Sequence, residues 1–180
     1  TAMTVRSFDN QKPVIHESAW IDPSAFVAGR VTLGEDVSVW PNAVVRGDVN
    51  TISVGSKTNI QDGAVLHCTH DGPYTQGGKA LTIGDRVTIG HQVCLHGCTI
   101  GDDVLVGIGS IVLDGANIEN LVMVGAGSLV PPGKTLKSGH LYLGSPVKMA
   151  RPLNDSEKEF LKYSATHYVK LANRHRKVTG

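Results

Sequence analysis

The chain has 180 residues, 41% hydrophobic but only 5% aromatic, so it can form one globular domain whose core is built from Val, Ile, Leu and Ala rather than large rings. Seventeen basic residues against 16 acidic ones give a net charge of +1, which leaves no electrostatic footprint for nucleic acid and no polybasic membrane patch. The first residues carry no apolar run, so neither signal peptide nor transmembrane span is expected; Met3 reads as the natural start, and Cys68, Cys94 and Cys98 read as reduced thiols of a cytoplasmic protein.

From Ile21 onward an aliphatic residue recurs every six positions: Ile21, Val27, Leu33, Val39, Val45, then Val54, Ile60, Leu66. After a break the series resumes at Ile83, Ile89, Leu95 and runs from Ile100 through Val106, Val112, Ile118, Val124 and Val130 to Leu136. Four residues after most anchors stands a small or β-branched side chain, such as Ala25, Val31, Val37, Ala43, Val87 and Val93. A helix repeats near 3.6 residues and cannot hold this phase. A six-residue unit with turn residues inside it describes a parallel β-helix, three units to a coil, with coils stacked about 4.7–4.9 Å apart. The 21 glycines belong largely to its corners, and pieces such as Gly107-Ile108-Gly109 lack the strand–loop–helix context of a phosphate loop.

Three spacings break the rule: nine residues from Val45 to Val54, five from Leu95 to Ile100, and seventeen from Leu66 to Ile83. The last implies an eleven-residue insertion, about Cys68 to Lys79, that leaves the prism as a loop. The period ends after Leu136. Gly144-Ser145-Pro146 and Pro152 break the chain, and Asn154 or Asp155 caps a helix whose apolar face is Leu161, Ala165, Tyr168, Ala172 and His175. Residues 1–150 therefore read as β-helix with an inserted loop at about 68–79, and residues 151–180 as a helix packed alongside.

Eight histidines occur, and four of them (His16, His140, His167 and His175) read as structural or solvated. His67 and His96 each follow an anchor. They are 29 residues apart, and removing the eleven inserted residues leaves 18, one complete coil. Both side chains should leave the same face one strand spacing apart, close enough for a tetrahedral zinc with Zn–N near 2.0–2.1 Å. His91 follows Ile89 by two positions and belongs to the preceding face, so a neighbouring subunit of a trimer would have to present it. Two histidines from one chain and one from the next leave a coordination position for water, as in a catalytic zinc site. The cysteines do not share the phase of His67 and His96.

Arg46-Gly47-Asp48, Asn59-Ile60-Gln61-Asp62-Gly63, His67, Gly90-His91, His96-Gly97 and Leu143-Gly144-Ser145-Pro146, in this order along essentially the whole chain, resemble the γ-class carbonic anhydrases and their bacterial hexapeptide-repeat relatives. The resemblance implies a left-handed β-helix, a homotrimer, and a metal between subunits held by His67, His91 and His96. It implies that Arg46 and Asp48 form an interface ion pair that also helps hold bicarbonate. Gln61 would orient a metal-bound hydroxide, with Asp62 behind it and Asn59 supporting it, and Tyr168 would point into the site from the helix. The glutamates that export protons in the archaeal type are absent: Val49 follows Asp48, and His70 stands three places after His67, where it can serve as the proton shuttle.

The reaction so implied is reversible hydration of CO2 to bicarbonate, with zinc as the cofactor and iron or cobalt also acceptable to three imidazoles. Two other classes are compatible with the same repeats: a weakly catalytic or non-catalytic trimeric metal-binding protein, and a hexapeptide acyltransferase using one histidine as base.

Overall fold

The computed structural model describes residues 4–179; Met3 lies outside them. The chain winds into a parallel β-solenoid of about eight turns, followed by a single helix, Asp155–Thr179. Strand register bears out the six-residue period directly, because anchors stack on anchors in three columns. One column runs Val27, Val45, Leu66, Leu95, Val112, Val130. A second runs Ile15, Leu33, Val54, Ile83, Ile100, Ile118, Leu136. The third runs Ile21, Val39, Ile60, Ile89, Val106, Val124 and ends on Tyr142. Nearly every anchor is fully buried, with Ile21 partly covered at the first coil, and the small residues between them (Ala25, Val31, Ala43, Val87, Val93, Ala116) fill the corners of the same core. Only short aliphatic side chains fit a prism this narrow, which is why the chain is poor in aromatics. Tyr142 closes the far end, its hydroxyl accepting a hydrogen bond from the Lys137 N–H at 2.9 Å.

The three irregular spacings have separate causes. The nine-residue step lies inside the long strand Val44–Val54, whose pairing with Phe26–Leu33 shifts register between Gly29 and Val31. The seventeen-residue step is the loop. It leaves the prism at Thr69, whose backbone pairs with Lys79 at the loop's neck, while Cys68 stays in the core at 1% exposure. The five-residue step shortens one coil, so Leu95 stacks on Val112 only 17 residues later.

The helix starts at a capping box. Asn154 Oδ1 accepts from the Glu157 N–H at 2.8 Å, and Glu157 Oε2 accepts from the Asn154 N–H at 2.9 Å. Its buried face, Leu161, Ser164, Ala165 and Ala172, lies on the third column's strands Trp20–Ile21, Ser38–Val39, Asn59–Ile60 and Thr88–Ile89. Trp20 and Trp40 meet edge to face at 4.9 Å and pack against Ala172, so the aromatics absent from the prism sit between prism and helix. Among the described residues no helix is long and apolar enough to cross a membrane.

Candidate metal centre

Strands Val65–His67 and Cys94–His96 are neighbours in one sheet, and their register pairs His67 with His96 directly. The eighteen-residue phase therefore delivers what it implied. His67 Nδ1 and His96 Nε2 stand 3.2 Å apart. Two nitrogens on one tetrahedral zinc at 2.0–2.1 Å are separated by about 3.3 Å, so this spacing suits a shared metal.

The outer ring nitrogens are occupied by carboxylates. His67 Nε2 lies 2.9 Å from Asp48 Oδ1, and His96 Nδ1 lies 2.5 Å from Asp114 Oδ1. An ionised carboxylate only accepts, so each outer nitrogen carries its ring's proton when the imidazole is neutral. The two inner nitrogens are then both lone pairs, facing each other at a distance that calls for a cation or a proton between them. The donor set fits a divalent metal.

Asp48 also accepts from Arg46 Nη1 at 2.7 Å, so in the single chain the Arg46–Asp48 pair is made internally and reaches His67 through one carboxylate. Partial burial acts to raise the Asp48 pKa, but the hydrogen bonds from His67 and Arg46 outweigh it and hold the carboxyl below its ordinary value.

His91 lies elsewhere, at the corner after Thr88–Ile89, with Asp62 Oδ1 3.1 Å from its Nδ1. Asp62 is one coil below it, and the N–H of the next residue, Gln92, donates to the Asp62 carbonyl at 2.9 Å. All three candidate ligands thus have a carboxylate on one ring nitrogen. Among the described residues no three His, Cys, Asp or Glu side chains of one chain converge as a metal site.

Gln61, at 5% exposure, donates its Nε2–H to Asn59 Oδ1 at 3.0 Å. Asn59 Nδ2 in turn donates to Thr88 Oγ1 at 3.3 Å, and Thr88 is 2.9 Å from Ser164 of the helix. This chain fixes the Gln61 amide with its carbonyl oxygen free to accept. Tyr168 has both roles open to it in sequence: its ring packs edge to face on Trp40 at 5.3 Å, and it borders a groove of about 500 Å³ shared with Gln61 and His91. Burial, reinforced by the charge of Asp62, raises the pKa of its hydroxyl. His70 is exposed in the loop, with Nε2 folded over Gly72, and makes no hydrogen bond or ion pair to the histidine pair. The side chain that does reach His96 from the loop's neck is Thr69, whose hydroxyl donates to Asp114 Oδ2 at 2.5 Å.

Asp114 and Thr69 were not singled out by sequence reasoning. The signal was present: the eighteen-residue step that carries His67 to His96 carries His96 to Asp114.

A family model for bacterial transferase hexapeptide repeats (six repeats) matches residues 12–47. Protein YrdA of Escherichia coli is 58% identical over 92% of this chain and 90% of its own length. Gamma carbonic anhydrase 1, mitochondrial, of Arabidopsis thaliana is 42% identical over 96% of this chain and 62% of its own. Among solved structures, a putative acetyltransferase of Bacillus cereus superposes with a TM-score of 0.90 at 37% identity, covering 97% of both chains. The chain belongs to the hexapeptide-repeat family, among relatives that include YrdA and the γ-class carbonic anhydrases.

Proposed function

We propose that this chain is the subunit of a trimeric carbonic anhydrase-like enzyme that hydrates CO2 reversibly to bicarbonate. His67 and His96 of one subunit and His91 of the next would hold the metal. The observation that carries the reading is the register-matched His67–His96 pair, with inner nitrogens 3.2 Å apart and outer nitrogens on carboxylates. His91 cannot join them within one chain, which makes a neighbouring subunit its natural destination. When bound, zinc (or iron or cobalt) supplies an activated water at neutral pH, lowering its pKa from 15.7 to about 7.

The chain's own residues then have distinct tasks. Gln61, its amide fixed by Asn59, accepts a hydrogen bond through Oε1 and so orients a hydroxyl at the site. Asp62 holds His91 in place. Arg46, 45% exposed, offers a partly neutralised cation to the bicarbonate anion, while Asp48 orients His67. Tyr168 and the groove's apolar wall give CO2 a dry approach. His70, exposed at the loop, passes the released proton to buffer. The three free thiols, two of them buried, suit a reducing compartment such as the cytoplasm.

A second reading has one observation in its favour. A groove of about 500 Å³ exceeds what CO2 needs, and an acyltransferase would lay an acyl-CoA along such coils. Calorimetric titration with CoA separates the two. The direct test is metal analysis joined to stopped-flow CO2 hydration on zinc- and iron-loaded protein. We expect one metal per subunit and hydration that disappears on chelation. Fully loaded protein without hydration would reduce the reading to a metal-binding scaffold.

A further inference from the structure

We infer that Asp114 is a positioning residue for His96: its carboxylate keeps the His96 proton on Nδ1 and so presents Nε2, unprotonated, toward His67. The inference rests on the metal-site reading above and deepens it, by giving Asp114 a role of its own with a test separate from activity.

The geometry is built from three sides. Asp114 Oδ1 is 2.5 Å from His96 Nδ1, and Oδ2 takes the Thr69 hydroxyl at the same distance. The single Thr69 proton is committed to Asp114, since its oxygen is 3.4 Å from the imidazole. Both carboxylate oxygens therefore act as acceptors, and His96 Nδ1 must be the donor.

Room for this contact comes from Gly97. A Cβ there would lie 2.9 Å from Asp114 Oδ1, and the residue's φ of +54° already favours glycine. The Gly115 N–H donates to the Gly97 carbonyl at 2.8 Å and holds the two corners together. The short coil matters too. Because Leu95 stacks on Val112, His96 lies over Leu113 and Asp114 falls one place further on, beside the imidazole's outer edge rather than above its face. Thr69 is fixed by its backbone pairing with Lys79, so the loop's neck helps support a ligand of the prism.

A carboxylate on the far nitrogen fixes a ligand's tautomer and raises its basicity, and losing such a partner costs about 10–100-fold in metal affinity. Two readouts test the assignment. The first is zinc affinity of the trimer by chelator competition for the parent, Asp114→Asn, Asp114→Ala and Thr69→Val. We expect Asp114→Ala and Asp114→Asn to bind zinc about 10–100-fold more weakly, and Thr69→Val less so, with unchanged melting of the metal-free protein. The second is the histidine tautomer of metal-free protein from side-chain ¹⁵N shifts. His96 should be the Nδ1–H form in the parent and lose that preference in Asp114→Ala. An unaltered His96 tautomer in Asp114→Ala overturns the assignment, as does parental zinc affinity in that variant. A parent that binds no zinc would instead sink the metal reading, and the tautomer measurement would still decide the role of Asp114.

Discussion

Replacing Gly107 by alanine probes how closely the coils stack. A Cβ at Gly107 would lie 2.6 Å from the Ala126 nitrogen and 2.6 Å from the Val124 carbonyl oxygen, both backbone of the next coil. Ordinary contact needs roughly 1 Å more, and ladder hydrogen bonds fix the spacing between coils. The strand must lift locally, weakening the Gly107 N–H to Val124 carbonyl bond of 2.8 Å and its neighbour from Leu105 to Val122 at 3.0 Å. Overpacking and a compromised buried backbone pair together should cost about 3 kcal/mol or more. Gly127→Ala is the matched control, because Gly127 has φ +66° but nothing within 4 Å of the new methyl. Its cost is backbone strain alone, about 1–2 kcal/mol. In a chain of this length each kcal/mol moves the midpoint by about 2–4 °C. Thermal melts at one protein concentration should therefore place Gly107→Ala well below Gly127→Ala, and both below the parent. Equal midpoints for the two variants would refute the stacking account.

Gln61→Ala should keep parental metal content and lose most CO2 hydration; unchanged turnover would remove Gln61 from the chemistry. At neutral pH, Cys68 and Cys98 should resist a thiol reagent in folded protein and react on unfolding. Both are 1% exposed, and burial pushes the Cys98 thiol up to about 12. Fast native modification of either would contradict the packing. Glu157 is held down to about 2 by Arg151 and by the Asn154 N–H, so its contribution to the helix start is complete above the ordinary carboxylate pKa and fades as pH falls toward 2. Glu157→Gln should thus melt lower than the parent at pH 7, with the gap closing in acid; a gap independent of pH would assign it to lost packing.

Much of the architecture was legible because a six-residue period survives inspection of a single sequence. Anchor columns, loop position, helix cap and the pairing of His67 with His96 all follow from counting. Of the two cap candidates, Asn154 and Asp155, the reciprocal bond with Glu157 selects Asn154. What counting missed was local. Cys68 looked like the first loop residue, yet the loop leaves one residue later because Cys68 fills the core below His96's coil. Asp114 escaped notice because a carboxylate at a corner looks like ordinary turn chemistry; only the shortened coil and the bare corner at Gly97 bring it to His96. The three histidine–aspartate couples have sequence separations of 19, 29 and 18, and only after the eleven inserted residues are removed from the second, leaving 18, does each read as about one coil. The proposed meeting of His91 with a neighbouring subunit depends on how chains assemble, which the period of a single chain does not encode.

That shared site is the central claim, and mixing two inactive variants tests it. His91→Ala keeps the His67–His96 pair, and His96→Ala keeps His91; each alone should lose its metal. In trimers of about 57 kDa (three times 19.1 kDa) co-refolded from equal amounts of both, an interface is complete when an intact pair meets an intact His91. Random assembly makes this true of about one interface in four. Metal analysis of the mixture should therefore recover about a quarter of the parental content, although neither component binds on its own. No recovery in verified mixed trimers, or a fully loaded monomer by light scattering, would contradict a site built between subunits.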